Sequence, residues 1–137
     1  MSASDAFETD VLRWTFQATA SFSADTAMVI SLHTGDPGDA GDQSTSETTY
    51  TSYARVSTSR TSVSWSVSTN VNFNLGTITF PAGTGGSGTV THFGIGRSTT
   101  AAAAGTLHFS GALTDGLAVG PGVTPSFGAD QLRVSAT

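Results

Sequence analysis

The sequence predicts an all-β protein, an antiparallel β-sandwich or partly open, jelly-roll-like barrel, carrying one amphipathic helix at its N-terminus. Three observations lead there. After about residue 20 the hydrophobic period changes from 3.6 to 2. The period-2 segments are short and separated by stretches rich in glycine and proline. Serine and threonine rather than charges fill the outward positions, for charged residues make up only 11% of the 137 and none is a lysine. Such a surface suits strands, because threonine tolerates a pleated, half-buried site. The length is that of one domain, 1–137, with a helix in 1–20 and strands in 27–137.

The helix is read from "SDAFETDVLRWTFQATA", in which Phe7, Val11, Trp14 and Ala18 recur at steps of four, three and four. It is expected to begin near Ala6 and to fray by about Ala18. Asp5 can accept from the free amides of the first turn, with Glu8 three residues on as in a capping box, and both acids suit the positive end of the helix dipole.

The strands follow. "TSVSWSVST" puts Val63, Trp65 and Val67 on one face and serines on the other, as a strand with one wet side requires. Less pure alternation runs through "AMVISLHT", "YARVSTS", "VNFNLGTITF", "TVTHFGIG", "TLHFSGAL" and "QLRVSAT". Between them "GDPGDAGD", "PAGTGGSG", "TTAAAAG" and "VGPGVTP" mark turns. Linkers this short leave no room for helical crossovers, so the pairing is antiparallel. In "FNLGTITF" the apolar parity switches at Gly76, which reads as a bulge or a bend between strands.

Charge excludes some functions. Ten acids against Arg13, Arg55, Arg60, Arg97 and Arg133 give a net −5. The arginines are scattered, so no basic stripe follows a phosphate backbone and no direct nucleic-acid contact is expected. With no cysteine there is no disulfide and no thiolate metal site. No stretch approaches the roughly 18 apolar residues of a membrane span, and the N-terminus lacks the pattern of a signal peptide. The expectation is a soluble chain starting near Met1, with no membrane partner.

The candidate chemistry is thin. Counted from Asp36, the loop "DPGDAGDQSTSE" places Gly41, Asp42 and Glu47 on positions six, seven and twelve of a helix–loop–helix calcium pattern. Positions three and five, Gly38 and Ala40, offer no side-chain oxygen. Asp36, Asp42 and Glu47 are therefore a weak calcium site, and a polar turn built on Asp36-Pro37-Gly38 is the simpler reading. His33, His92 and His108 lie in three different predicted strands, away from any zinc spacing. "GIGRS" lies in a strand with no helix after it, so it is no dinucleotide fingerprint. A glycan-active enzyme needs two convergent carboxylates, whereas here the acids crowd into turns and only Asp115 and Asp130 lie in the second half. No catalytic residue and no cofactor is expected. Phe16, Phe22, Tyr50 and Tyr53 read as core or rim aromatics.

The succession "SDAFETDVL", "SLHTGDPGDAG", "YTSYARV", "ITFPA", "VTHFGIG" and "LHFSGALT" resembles a family of small structural proteins of tailed bacteriophages, labelled tail-fibre, minor tail or virion proteins. The likeness runs from about Ser4 to about Val134. It implies a non-enzymatic virion component, a homo-oligomer made in the host cytoplasm and assembled onto the capsid exterior or the tail. The sequence departs from that family between Ser21 and Ala27, where a longer insertion is expected. Small size and the lack of a fibre-like repeat favour a high-copy decoration or cement protein bound to the major capsid protein. The alternative is a tail-tip or fibre-base protein touching the host surface through Trp65 or the tyrosines. In either place the helix can cap its own sandwich or lie on a neighbour, with Phe7, Trp14, Phe16, Tyr50 and Tyr53 as contact candidates.

Overall fold

The computed structural model describes residues 2–18 and 26–135. Phe22, most of the segment where the family's insertion is expected, and the last two residues of the predicted strand "QLRVSAT" lie outside them.

One helix, α1 (Asp5–Gln17), follows a two-residue strand β1 (Ser2–Ala3). Its cap is Ser4 rather than Asp5, whose place is one residue inside. The Ser4 Oγ accepts from the Phe7 amide at 3.2 Å and donates to the Leu107 carbonyl. Ser4 wins because it is itself buried against the sheet, where an aspartate would bring an unpaired charge. Asp5 and Glu8 still occupy the first turn, at the positive pole.

Strands β2 (Ala27–His33), β3 (Val56–Ser59), β7 (Gly88–Gly96) and β8 (Leu107–Val119) join β1 in a five-stranded antiparallel sheet ordered β1-β8-β7-β2-β3. A second sheet is ordered β10-β5-β4, from β4 (Trp65–Ser68), β5 (Val71–Asn74) and β10 (Arg133–Ser135), and β6 (Ile78–Thr79) pairs with β9 (Ser126–Phe127). The sheets stay separate, so the fold is an open sandwich and not a closed barrel. Its core joins Ile30, Leu32, Phe93 and Ile95 of the large sheet to Ile78, Phe80, Leu132 and Val134 from across the interior. Each such side chain contributes roughly 1.5–3 kcal/mol on burial.

The interior strand β2 is buried on both faces. Ile30 and Leu32 point into the core, while Val29, Ser31 and His33 lie under the loop that follows the strand, with at most 1% exposure. Glycines of β7 make the room. A Cβ at Gly94 would fall 2.6 Å from the His33 Nε2, and one at Gly96 would fall 2.4 Å from the Gln43 side chain. The glycines of "GIG" thus serve packing. Gly76 lies in the bend between β5 and β6, as its parity switch predicts. The β4–β5 hairpin turns on Thr69 and Asn70, both at positive φ, the geometry that matches strand twist in a two-residue turn.

The predicted face of Val63, Trp65 and Val67 is only partly buried. Strand β4 starts at Trp65, which packs against the core, whereas Val63 sits in the preceding turn and Val67 lies at the sheet edge, 83% and 77% exposed. Alternation marks a face, but an edge strand has nothing of its own to cover that face.

Candidate assembly surface

Two features of this fold can engage a partner, and a third ties two of its loops together. The first is α1. Its N-terminal half is fastened: the Ser4 amide donates to the His108 carbonyl, the Asp5 amide donates to the Asp39 carbonyl, and the Phe7 ring lies 4.6 Å from that of Phe109 and edge-on to His108. Asp10 is buried as well. Beyond Val11 the helix leaves the sheet, and Leu12, Trp14 and Phe16 are 58%, 59% and 80% exposed. At 100° per residue Trp14 shares the face of Phe7, while Leu12 and Phe16 lie on the opposite side. The projecting half is therefore apolar on two sides, a pattern that asks for burial.

The second feature is an apolar cleft of about 760 Å³ where the two larger sheets splay. Met28, Ile95 and Phe109 line it from one sheet, Trp65, Val67 and Val134 from the other. The indole Nε1 of Trp65 is buried with no acceptor among the described residues. No periodicity marks this cleft, since its walls come from strands up to a hundred residues apart.

The third feature is a buried polar tie beneath the loop "SLHTGDPGDAGDQSTSETTY". Glu47 takes the Arg55 guanidinium at two points, 2.7 and 2.8 Å, and also accepts from the Tyr53 hydroxyl and the Ala102 amide. Arg55 donates onward to the Ser98 and Ala103 carbonyls. Gln43, fully buried, accepts from the amides of Arg97 and Ser98 and donates to the Val29 carbonyl. These bonds pin the 97–105 loop to the 34–50 loop. The clue in the sequence was a lone arginine between Tyr53 and Val56 in a chain so poor in charge.

The calcium reading does not gather its ligands. Asp36 accepts from the Gly38 amide and Asp42 from the Ser44 amide and hydroxyl, each closing its own turn, while Glu47 belongs to Arg55. The Ser44 hydrogen bonds hold the Asp42 carboxyl below its ordinary range. No three acids or histidines come together as ligands among the described residues.

The two tyrosines named as contact candidates turn inward in this fold. Tyr50 is 3% exposed and donates to the Pro81 carbonyl, and Tyr53 accepts from the Leu32 amide while donating to Glu47. Burial raises both phenols. Phe7 serves its own subunit. Trp14 and Phe16 alone of the five remain outward.

His33 and His92 are opposed across β2 and β7. The His33 Nδ1 lies 2.8 Å from the Thr45 carbonyl, which can only accept, so Nδ1 carries the proton and Nε2 accepts from the Ser31 hydroxyl. Burial lowers its pKa from the ordinary 6.5. It is a neutral packing histidine.

The class this defines is an antiparallel sandwich that commits Asp36, Asp42, Glu47 and Arg55 to its own turns and ties and turns Leu12, Trp14 and Phe16 outward. The sequence matches, over residues 2–135, the family described as Podophage GP4 fiber I protein gp80. The chain belongs to that phage fibre family. No curated protein matches it. Membership corrects the preference for capsid cement, because a fibre family supports a tail or fibre role instead. Small size and the absence of a repeat misled there, since neither says where on a particle a subunit sits.

Proposed function

We propose that this protein is a non-enzymatic building block of the short-tailed phage's tail, held at a fibre or its base by copies of itself and by other tail components. The observation that carries this reading is the span of the family match. It takes in the helix, the tied loops and both walls of the cleft, so every feature described above lies within the family's domain. The geometry supports it too: exposed apolar side chains and sheet edges suit lateral contacts, which need no charged residues. Among the described residues no helix is long and apolar enough to cross a membrane.

Immunogold labelling of purified virions with an antibody against this chain, paired with its copy number relative to the capsid protein, tests the proposal. Label on the tail or fibres and a handful of copies are expected. Label over the head, at a small integer ratio to the capsid protein, would return the cement reading.

A further inference from the structure

We propose that Asp115 and Gly116 form a site of self-modification, at which an ordinary aspartyl bond converts to an isoaspartyl bond through a cyclic imide. Asp115 is followed by glycine, whereas every other aspartate precedes a residue with a side chain. The ring closes when the Gly116 nitrogen attacks the Cγ of the protonated Asp115 carboxyl. A C–N bond forms, a C–O bond breaks and one water leaves. Water then opens the imide at either carbonyl. Attack at Cγ restores aspartate, whereas attack at the main-chain carbon leaves the backbone running through the side chain, one methylene longer. The sum needs no oxidant, metal or second protein.

The fold leaves this bond open to ring closure in three ways. Val90 pairs with Leu117 and His92 with Ala112, so residues 113–116 all stand opposite Thr91. Thr91 has one N–H and one C=O, too few to hold four residues in a ladder. Asp115 and Gly116 are also exposed, and the Asp115 carboxylate takes no hydrogen bond or ion pair among the described residues. Strand β1 covers β8 only at Phe109 and Ser110, so no described strand lies outside 113–116. Gly116 supplies the third condition. A Cβ there would fall 3.1 Å from the Thr89 Cγ2, so close packing favours glycine, and the same missing side chain leaves the amide nitrogen unhindered.

Other aspartates are held back. Pro37, after Asp36, has no N–H to give up. The Asp42 carboxylate is taken by the Ser44 amide and hydroxyl, and that of Asp130 by Arg133. The product places an extra backbone atom and a main-chain carboxylate on the uncovered edge of the large sheet, so copies of different age present different edges. This holds wherever in the particle the subunit sits.

The test is to incubate the full chain for weeks at neutral pH in water enriched in oxygen-18 and then cut it after arginine, which yields residues 98–133 as one piece. Electron-transfer fragmentation should place both the heavy oxygen and the isoaspartate at Asp115 and not at Asp130. Asp115→Glu, whose imide would need a six-membered ring, should stop the reaction. Asp115→Asn should lose ammonia through the same imide. Circular dichroism should show both variants folded, since the position is exposed. In the folded chain Asp115→Asn should react within about tenfold of its rate in urea, a barrier difference under about 1.4 kcal/mol. A folded rate slower than that would overturn the proposal, because the fold would then be shielding the bond. Equal labelling at Asp115 and Asp130 would also overturn it.

Discussion

Glu47 and Arg55 face each other as a two-point ion pair inside the subunit, Nε 2.7 Å from Oε1 and Nη2 2.8 Å from Oε2, with side chains 3% and 0% exposed. A pair so placed differs in kind from Asp130 and Arg133, which are also 2.6 Å apart but half in solvent. Water screens the exposed pair and holds it to at most about 1 kcal/mol. Removing one member of the buried pair leaves the other charge with neutral hydrogen-bond partners, no opposite charge and little water.

Glu47→Gln should therefore destabilise the protein by about 3–5 kcal/mol, and Arg55→Met by a similar amount, whereas Asp130→Asn should cost less than about 1 kcal/mol. The double change Glu47→Gln with Arg55→Met should cost less than the sum of its parts, because no lone charge remains. Urea unfolding of the four chains gives the coupling directly. Strict additivity would mean that the pair is not an energetic unit.

Asp36 lies in the same loop with a lighter duty, one exposed hydrogen bond to the Gly38 amide. Asp36→Ala should cost no more than about 1 kcal/mol, and its self-association should match the parent's. Added calcium should leave the melting temperature of both chains unmoved, since the Glu47 oxygens are already occupied by Arg55, Tyr53 and Ala102. A calcium-dependent rise in the parent that Asp36→Ala abolishes would restore the metal reading.

Much of the fold could be read from the residues. Period-2 alternation located the longer strands, and the parity switch at Gly76 located a bend, because both are local consequences of the pleat. Strands β1, β6 and β9 are two residues long and leave no period. Strand β8 runs on past "TLHFSGAL" through Asp115 and Gly116, taking a register shift opposite Val90 and His92. The assembly surface was half legible. Trp14 and Phe16 stood out as large apolar residues on a short helix, but whether a sheet covers them is a matter of tertiary placement. Gln43 reaches Arg97 and Ser98 across more than fifty residues, and spacing along a chain says nothing about such a pair. The same is true of the cleft, which exists only because two sheets diverge.

His33 sets an acid limit on stability. It is buried, neutral and fixed in one tautomer, with Glu47, Arg55 and His92 as the charged or titratable groups around it. Burial lowers its folded pKa, so below its ordinary 6.5 the unfolded chain takes up a proton that the folded chain refuses. Stability is full above that value and falls as the pH drops from 6.5 towards the folded pKa, with a slope approaching about 1.4 kcal/mol per pH unit for one proton. His33→Gln, although less stable at pH 7.5, should lose less between pH 7 and pH 5.5. Urea midpoints at the two pH values decide it. Parallel losses in parent and variant would assign the acid sensitivity to other groups.

Ser4 joins the helix to the sheet through two bonds of one hydroxyl, accepting from the Phe7 amide and donating to the Leu107 carbonyl. Ser4→Ala removes both, costing about 1 kcal/mol for the cap and about 1–3 kcal/mol for a buried carbonyl left unpaired. Ser4→Gly separates the two, because glycine at a cap loses only a few tenths, so most of its cost should come from the Leu107 carbonyl. Amide exchange should quicken first at Phe7 and Glu8, whose amides bond to Ser4, and then along the helix to Val11. If the foothold controls how α1 is presented, both variants should also weaken self-association, though Ser4 lies about two turns from Leu12 and about three from Phe16. Faster exchange with unchanged association would make the helix a docked segment that finds its partner regardless of how its base is held.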